Sequence, residues 1–424
     1  MTYQETLAFI YGLGRFGMRP GLERITALLN AIGNPQDHIR SVHVAGTNGK
    51  GSTAAFIASI MECAGYRIGL FTSPHLIRFT ERIRINGEEI SPDEVTRIAN
   101  RLLEAACPET TFFELVTAMA LSYFAERDVD LAVMEVGMGG RLDATNAAAG
   151  LLSVITPISM EHCEYLGDSL KGIAYEKAGI IKSGRPVVTS TRSPEALEVI
   201  QMESERLSSP LYRFGNEFSA TWEADGLSYR GIKTSMRGLI PGPAGRYQGM
   251  NAAAALAAAE LLGGMGFKVA DSSLRGGIET SSWPGRMEMI GESPRILLDG
   301  AHNPAASLAL VEELREVPRD RLLLIAGIMA DKDVEGVFNP LFSMADLIFA
   351  VSPAVERAME SGRLAALCRL AGASCVDAGT VAEGLSRAQK EARPEDLILV
   401  CGSLFAVGEA RALLCRKRFE PFRG

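Results

Sequence analysis

Histidine and tryptophan are scarce in this chain, at five and two residues, and no two cysteines stand at C-x-x-C spacing. The seven cysteines (Cys63, Cys107, Cys163, Cys368, Cys375, Cys401, Cys415) are scattered. That excludes a zinc ribbon and a disulfide framework and fits a reducing cytoplasm. No apolar run approaches the ~20 residues needed to cross a bilayer. The opening M-T-Y-Q-E-T-L lacks the basic and apolar regions of a signal peptide. No basic tract is present and the formal net charge is −8, so neither nucleic acid nor a membrane is an expected partner. What remains is ordinary for a soluble cytoplasmic enzyme: 47% hydrophobic and 22% charged residues. A length of 424 residues accommodates two cores.

Short apolar runs alternate with longer helical patterns, as in parallel sheets flanked by helices. The expected strands are Ser41–Ala45, Arg67–Thr72, Leu131–Val136, Leu152–Thr156 and Pro186–Thr189, then Arg295–Asp299, Leu322–Gly327, Leu347–Val351, Ser374–Asp377 and Leu397–Gly402. Asn251–Leu262, rich in alanine and stopped by Gly263 and Gly264, reads as a helix. Residues 190–245 read as hairpins and loops over one side. W-P-G-R and G-E-S-P break the pattern at Gly285–Pro294. The fold expected is α/β. A mostly parallel, P-loop-type sheet domain over 1–290 precedes a smaller Rossmann-like domain over 291–424, with a cleft between them.

Val42–Thr53, V-H-V-A-G-T-N-G-K-G-S-T, reads as a strand, a glycine-rich turn and a helix start. Gly46, Gly49 and Gly51 let backbone N–H groups close on an anion, Lys50 supplies a point charge for phosphates, and Ser52 or Thr53 offers Mg²⁺ a hydroxyl. The helix beginning near Ser52 aims its positive end at the same anion. The general G-x-x-x-x-G-K-[ST] pattern would place glycine at Val44 and a hydroxyl at Gly51. This variant loop points to ATP use rather than to a GTPase or kinase-like switch.

His75, His162 and His302 each follow an expected strand, at the carboxyl-end crevice where open α/β sheets bind ligands. Each could equally be a satisfied structural histidine. Glu135 ends an expected buried strand, where a metal ion or a partner such as Arg141 must compensate its charge. Lys177 lies in the largely apolar helical pattern G-I-A-Y-E-K-A-G-I-I-K. It is either buried and neutralised or snorkels to the surface, and Glu176 projects too far round the helix to pair with it.

The segments G-T-N-G-K-G-S, T-S-P-H-L, G-G-R-L-D-A-T-N, E-K-A-G-I-I-K, W-P-G-R, D-G-A-H-N-P and A-D-K-D follow in that order from near residue 40 to near residue 335. Together they resemble the folylpolyglutamate synthase and dihydrofolate synthase family, a branch of the Mur ligases. The resemblance covers essentially the whole chain. It implies an ATP-dependent ligase that phosphorylates a substrate carboxylate and lets an amine displace the phosphate. Its substrates would be dihydropteroate, reduced folates, L-glutamate and ATP, and the family is commonly monomeric.

By this resemblance the phosphate loop is Gly46, Thr47, Asn48, Gly49, Lys50, Gly51 and Ser52. Asn251, Arg286, Asp299 and His302 would reach ATP from either side of the cleft. Ser73, Glu135 and His162, with Ser52, would hold Mg²⁺, and a carbamylated Lys177 would help hold a second ion. Lys50, Lys177 and His162 would thus carry the catalysis. Whether a monovalent cation takes part is left open. Thr111, Phe113, Asp143 and Ala144 match the family's pterin contacts, with Phe113 stacking and Asp143 accepting from ring nitrogens. Plain core packing would also account for Phe113. Glu161 stands where relatives often carry Asp, and Ser403 in C-G-S-L is a candidate for the incoming glutamate.

The resemblance implies a bifunctional enzyme, joining glutamate to dihydropteroate and extending reduced folates. The alternatives are a ligase that only extends tetrahydrofolate, a cell-wall Mur ligase, and a nucleotide-binding regulator that makes no bond. About 40 residues precede the phosphate loop, little room for the extra N-terminal domain of a cell-wall ligase. A regulator would need neither Glu135, His162 nor Lys177.

Overall fold

The computed structural model describes residues 1–13, 20–161 and 163–421. Its largest sheet has eight strands: β1 (Ser41–Ala45), β2 (Ile68–Phe71), β3 (Ile83–Ile85), β4 (Glu88–Glu89), β5 (Leu131–Glu135), β6 (Gly150–Ile155), β7 (Val187–Thr189) and β8 (Leu211–Arg213). Their order is β4-β3-β2-β5-β1-β6-β7-β8. Pairing is parallel from β2 to β8, while β3 and β4 add an antiparallel edge. S-V-H-V-A and L-A-V-M-E are buried at every position, as central strands covered on both faces must be.

Helix Lys50–Cys63 and the alanine-rich helix Gln248–Gly263 cover one face. Alanine suits that position, since small side chains let the helix lie close against its neighbours. Helices Tyr3–Gly12, Glu23–Ala31, Pro92–Ala105 and Phe112–Glu126 cover the other face. Helices Leu170–Ala178 and Pro194–Arg206 close the β7 side.

The 190–245 stretch is more regular than its sequence suggests. It forms helix Pro194–Arg206, β8 and a three-stranded antiparallel sheet, β9 (Ser219–Glu223), β10 (Gly226–Arg230) and β11 (Ser235–Leu239). The helix is started by Pro194 and buries only Ala196 and Ile200 among its apolar residues. That sparse stripe carries little periodic signal. Phe218, Leu227, Tyr229 and Leu239 bury one face of the small sheet against helix Gln248–Gly263.

The third sheet comprises β12 (Glu288–Ile290), β13 (Arg295–Leu298), β14 (Leu322–Ala326), β15 (Leu347–Ser352), β16 (Cys375–Thr380) and β17 (Leu397–Cys401), in the order β12-β13-β17-β14-β15-β16. Only β12 is antiparallel, and it lies inside the Gly285–Pro294 break. All ten expected strands are present, several shifted by one to three residues. The chain is therefore α/β, with a large parallel-rich sheet followed by a smaller Rossmann-like one. Among the described residues no helix is long and apolar enough to cross a membrane.

Candidate active site

The carboxyl ends of β1, β2, β5 and β6 open into a cleft of about 1140 Å³ whose opposite wall comes from the third sheet. In the large sheet β1 lies between β5 and β6, so its carboxyl end sits where the strand order reverses. The turn after β1 contains Gly46 (φ 145°) and Gly49 (φ 89°), where an L side chain would be strained. A Cβ at Gly49 would collide with the Asn251 amide, and one at Gly46 with Thr156. No side chain caps helix Lys50–Cys63, which leaves its first N–H groups facing the cleft. The Thr47 hydroxyl ties the loop to Ser159 on the β6 side, at 3.1 Å from the carbonyl and 3.2 Å from the N–H.

Two lysines converge on one carbonyl. Lys50 Nζ donates to Gly46 O at 3.1 Å and to Thr47 O at 3.2 Å, and Lys177 Nζ donates to the same Gly46 O at 2.8 Å. Lys177 is buried, so the snorkelling alternative is excluded. Burial first, then the neighbouring Lys50, pulls its amine down to about 7. It lies behind the phosphate loop, on helix Leu170–Ala178, and not among the residues lining the cleft.

Glu135 ends β5, buried, and accepts from Ser73 N–H at 3.0 Å. Burial raises its pKa, against the pull of Lys50, Ser73 N–H, Arg286 and Arg82. The Arg141 pairing does not form. Arg141 bonds Glu203 at 3.1 Å and stacks on Tyr175 at 3.9 Å. Ser52 is buried, its hydroxyl 3.4 Å from Gln248 Nε2. His162 lies outside the described residues, and no cluster of three or more His, Cys, Asp or Glu suited to a metal occurs among the described ones.

On the opposite wall, Asp299 accepts from Tyr247 OH and Met287 N–H at 3.0 Å and from Ala301 N–H at 2.9 Å. Arg286 lines the cleft beside Gly300, its guanidinium 3.3 Å from Gly285 O. Asn251 lies in the first turn of its helix and donates to Gln248 Oε1 at 2.8 Å. His302 places Nε2 at 3.2 Å from Glu161, which also faces Lys332 Nζ at 3.8 Å. Asn48 and Asn303 exchange amide hydrogen bonds of 3.2 and 2.9 Å across the cleft.

A further arm of the cleft is lined by Thr111, Phe112, Phe113, Asp143 and Ala144. Phe113 tilts against Phe71 at 5.8 Å and lies over Gly137, so it is half-buried yet faces the cleft. Asp143 accepts from Met138 N–H and Thr145 N–H at 3.0 Å and from the Thr145 hydroxyl at 2.6 Å. Burial nevertheless raises its pKa. Thr111 caps helix Phe112–Glu126 in a reciprocal box with Glu114.

Comparison with known proteins accounts for this arrangement. Residues 44–259 match the Mur ligase middle domain and residues 285–404 the Mur ligase glutamate ligase domain. The Bacillus subtilis dihydrofolate synthase/folylpolyglutamate synthase is 36% identical over 97% of this chain and 99% of its own length. The chain belongs to the Mur ligase family. Within it, the structure of Escherichia coli FolC in complex with DHPP and ADP superposes with a TM-score of 0.90 at 31% identity, covering 98% of each chain. A Halobacterium salinarum protein described as a probable bifunctional folylpolyglutamate synthase/dihydropteroate synthase is 39% identical over 97% of this chain. This Mur ligase chain spans only 51% of that relative's length.

The cleft brings together every described residue to which the resemblance gives an ATP, metal or pterin role except Gly46 and Lys177, which lie one layer behind it; His75, Thr53 and Arg141 are also not among its lining residues. Sequence reasoning missed Arg82, a fully buried arginine lining the cleft, and Asn303, Lys332 and Arg357. Arg82 stands in T-E-R-I-R, a charge pattern that reads as surface. Asn303 and Lys332 stand inside the D-G-A-H-N-P and A-D-K-D segments, and Asn303 carried a further signal as a helix cap before Pro304.

Proposed function

We propose that this Mur ligase joins L-glutamate to dihydropteroate and, in a second activity, to the γ-carboxylate of reduced folates, using ATP through an acyl phosphate. The observation that carries the proposal is the single cleft. It holds an uncapped helix N-terminus with Lys50, a buried carboxylate at Glu135 and an aromatic-acidic arm of Phe113 and Asp143. The B. subtilis relative's name and the DHPP and ADP bound by E. coli FolC support it. We assign residues 1–290 to an ATP-binding domain and 291–424 to a glutamate-ligase domain.

In this reading Gly46–Ser52 cradle the ATP phosphates, with Asn251, Arg286, Asp299 and His302 contacting the nucleotide from both walls. Lys50 and Arg286 bring positive charge to the point where two anions must meet. Thr111, Phe113, Asp143 and Ala144 orient the pterin. Ser52, Ser73 and Glu135 form a hard-oxygen donor set that fits Mg²⁺, with His162 as a further ligand. Bound there, Mg²⁺ supplies charge neutralisation between the phosphate and the carboxylate. Lys177, with its amine held near 7, has the free base needed to take up CO₂. Its carbamate would supply an anion for a second Mg²⁺ and would reverse the repulsion from Lys50. The two walls together exclude water from the acyl phosphate.

The test is phosphate release with ATP, Mg²⁺ and L-glutamate, run in parallel with dihydropteroate and with tetrahydrofolate. Turnover with both establishes the bifunctional ligase. Turnover with tetrahydrofolate alone removes the dihydropteroate activity and returns Phe113 to packing. ADP formation with neither substrate overturns the proposal.

A further inference from the structure

After helix Leu404–Leu414 the chain leaves the third sheet and reaches back onto the loop that follows β2. Three hydrogen bonds to that loop and one to Tyr3 of the first helix seat Glu420. Its N–H donates to Ile77 O at 2.9 Å, and its carbonyl accepts from His75 Nε2 at 3.1 Å. Its carboxylate Oε2 accepts from Phe79 N–H at 3.0 Å and from Tyr3 OH at 3.1 Å. This is a built contact between segments about 340 residues apart in sequence.

The contact continues into the cleft. Arg82 Nε donates to His75 Nδ1 at 2.9 Å, so the histidine proton sits on Nε2, facing the Glu420 carbonyl. Arg82 is fully buried, with its guanidinium over the Phe112 ring at 5.2 Å and lining the cleft. The same loop begins at Ser73, whose N–H holds Glu135.

We propose that the segment around Glu420 is a positioning strap, which through His75 fixes the Arg82 guanidinium and the Ser73–Arg82 loop against the carboxylate-bearing pterin substrate. Glu420 touches no reacting atom; it sets where a cleft cation points. The role of the cleft rests on the ligase reading above, and the strap itself rests on geometry alone.

The test compares the full chain with its Glu420→Ala and Glu420→Gln variants and with a chain stopped after Lys417. Steady-state kinetics with dihydropteroate, ATP and L-glutamate are paired with backbone hydrogen exchange over residues 73–82. Glu420→Ala should raise KM for dihydropteroate on the order of ten-fold while shifting KM for ATP less than about two-fold. Glu420→Gln keeps a carbonyl acceptor for Phe79 N–H and should recover most of the loss. Exchange at Phe79 should quicken in Glu420→Ala, and over the whole loop in the stopped chain. If the stopped chain fails to fold, the two point variants decide. Equal movement of both KM values, or no movement in either, overturns the strap. An inactive parent chain strikes the ligase reading instead. Exchange over 73–82 then decides the strap alone, and protection unchanged by Glu420→Ala refutes it.

Discussion

Replacing Lys177 with Met should end ligation and yet stabilise the fold near neutral pH. The amine falls from lysine's ordinary 10.5 to about 7, through burial and the neighbouring Lys50. That fall corresponds to ~5 kcal/mol of preference against the ammonium form in the folded chain. Near pH 7 the unfolded chain keeps the proton while the folded chain has shed about half of it, so folding carries most of that penalty. Methionine has similar length and no charge to bury. It forfeits the Nζ bond to Gly46 O, worth roughly 1 kcal/mol net, and Lys50 still satisfies that carbonyl. The expected gain near pH 7 is ~2–4 kcal/mol.

The sign of the pH dependence is fixed by proton counts. Between about 7 and 10.5 the unfolded chain binds more protons at this site than the folded chain, so parental stability rises with pH across that window. The Met variant lacks that rise, and the gap between the two chains should shrink toward pH 10. Below about pH 7 both states hold the proton and the gap is constant. Urea unfolding of both chains in CO₂-depleted buffer, on either side of the window, measures it. A gap that ignores pH, or a variant less stable near neutrality, would refute the reasoning. Added bicarbonate should restore activity and add stability in the parent only, since a carbamate bound to the folded state shifts folding by mass action.

Three more outcomes follow from the cleft. Gly49→Ala, which demands positive φ of alanine and drives a Cβ into Asn251, should raise KM for ATP at least about ten-fold, read by ADP formation. Glu135→Gln removes a buried charge whose pKa burial already raises, so its melting temperature should hold or rise. Its kcat should nevertheless fall about 10²-fold or more, and its Mg²⁺ requirement should shift upward in a metal titration. Phe113→Ala should raise KM for dihydropteroate about ten-fold while sparing KM for ATP, because the ring faces the cleft arm beside Asp143. Equal effects on both substrates would return Phe113 to the core.

The fold was legible where burial is two-sided. S-V-H-V-A, L-A-V-M-E, L-L-L-I-A and L-I-L-V-C are unbroken apolar or nearly apolar runs because helices cover both faces, and each is a strand. It was illegible where elements are short, half-exposed or at an edge, as in β3, β4, β9 and β12, whose patterns are set by tertiary pairing. The site divides the same way. Glycines with positive φ and a lysine in an apolar helix are local anomalies visible in one dimension. Arg82 and Glu420 are not, because their burial depends on partners far off in sequence: Arg82 lies under Phe112, and Glu420 lies on residues 75–79. The sequence also left open whether Glu135 pairs with Arg141, and only the placement of Glu203 beside that arginine excludes it.

The two walls of the cleft are joined by different chemistry at its mouth and behind it. At the mouth the contacts are polar: Asn48 with Asn303, and Glu161 with His302 and Lys332. Behind it the contact is apolar and close, with Leu76 against Val407 and Gly285 and its carbonyl where a Cβ at Gly408 would sit. Polar pairs exchange readily for water with little net change in free energy, whereas apolar packing does not. Opening the polar join therefore costs less than parting the apolar one, which is the better anchored side. The anchored side is also where Glu420 holds the loop bearing Ser73 and Arg82. The loop bearing Ser73 and Arg82 thus shares its side of the cleft with the apolar join, and the Gly46–Ser52 loop, through Asn48, shares its side with the polar one.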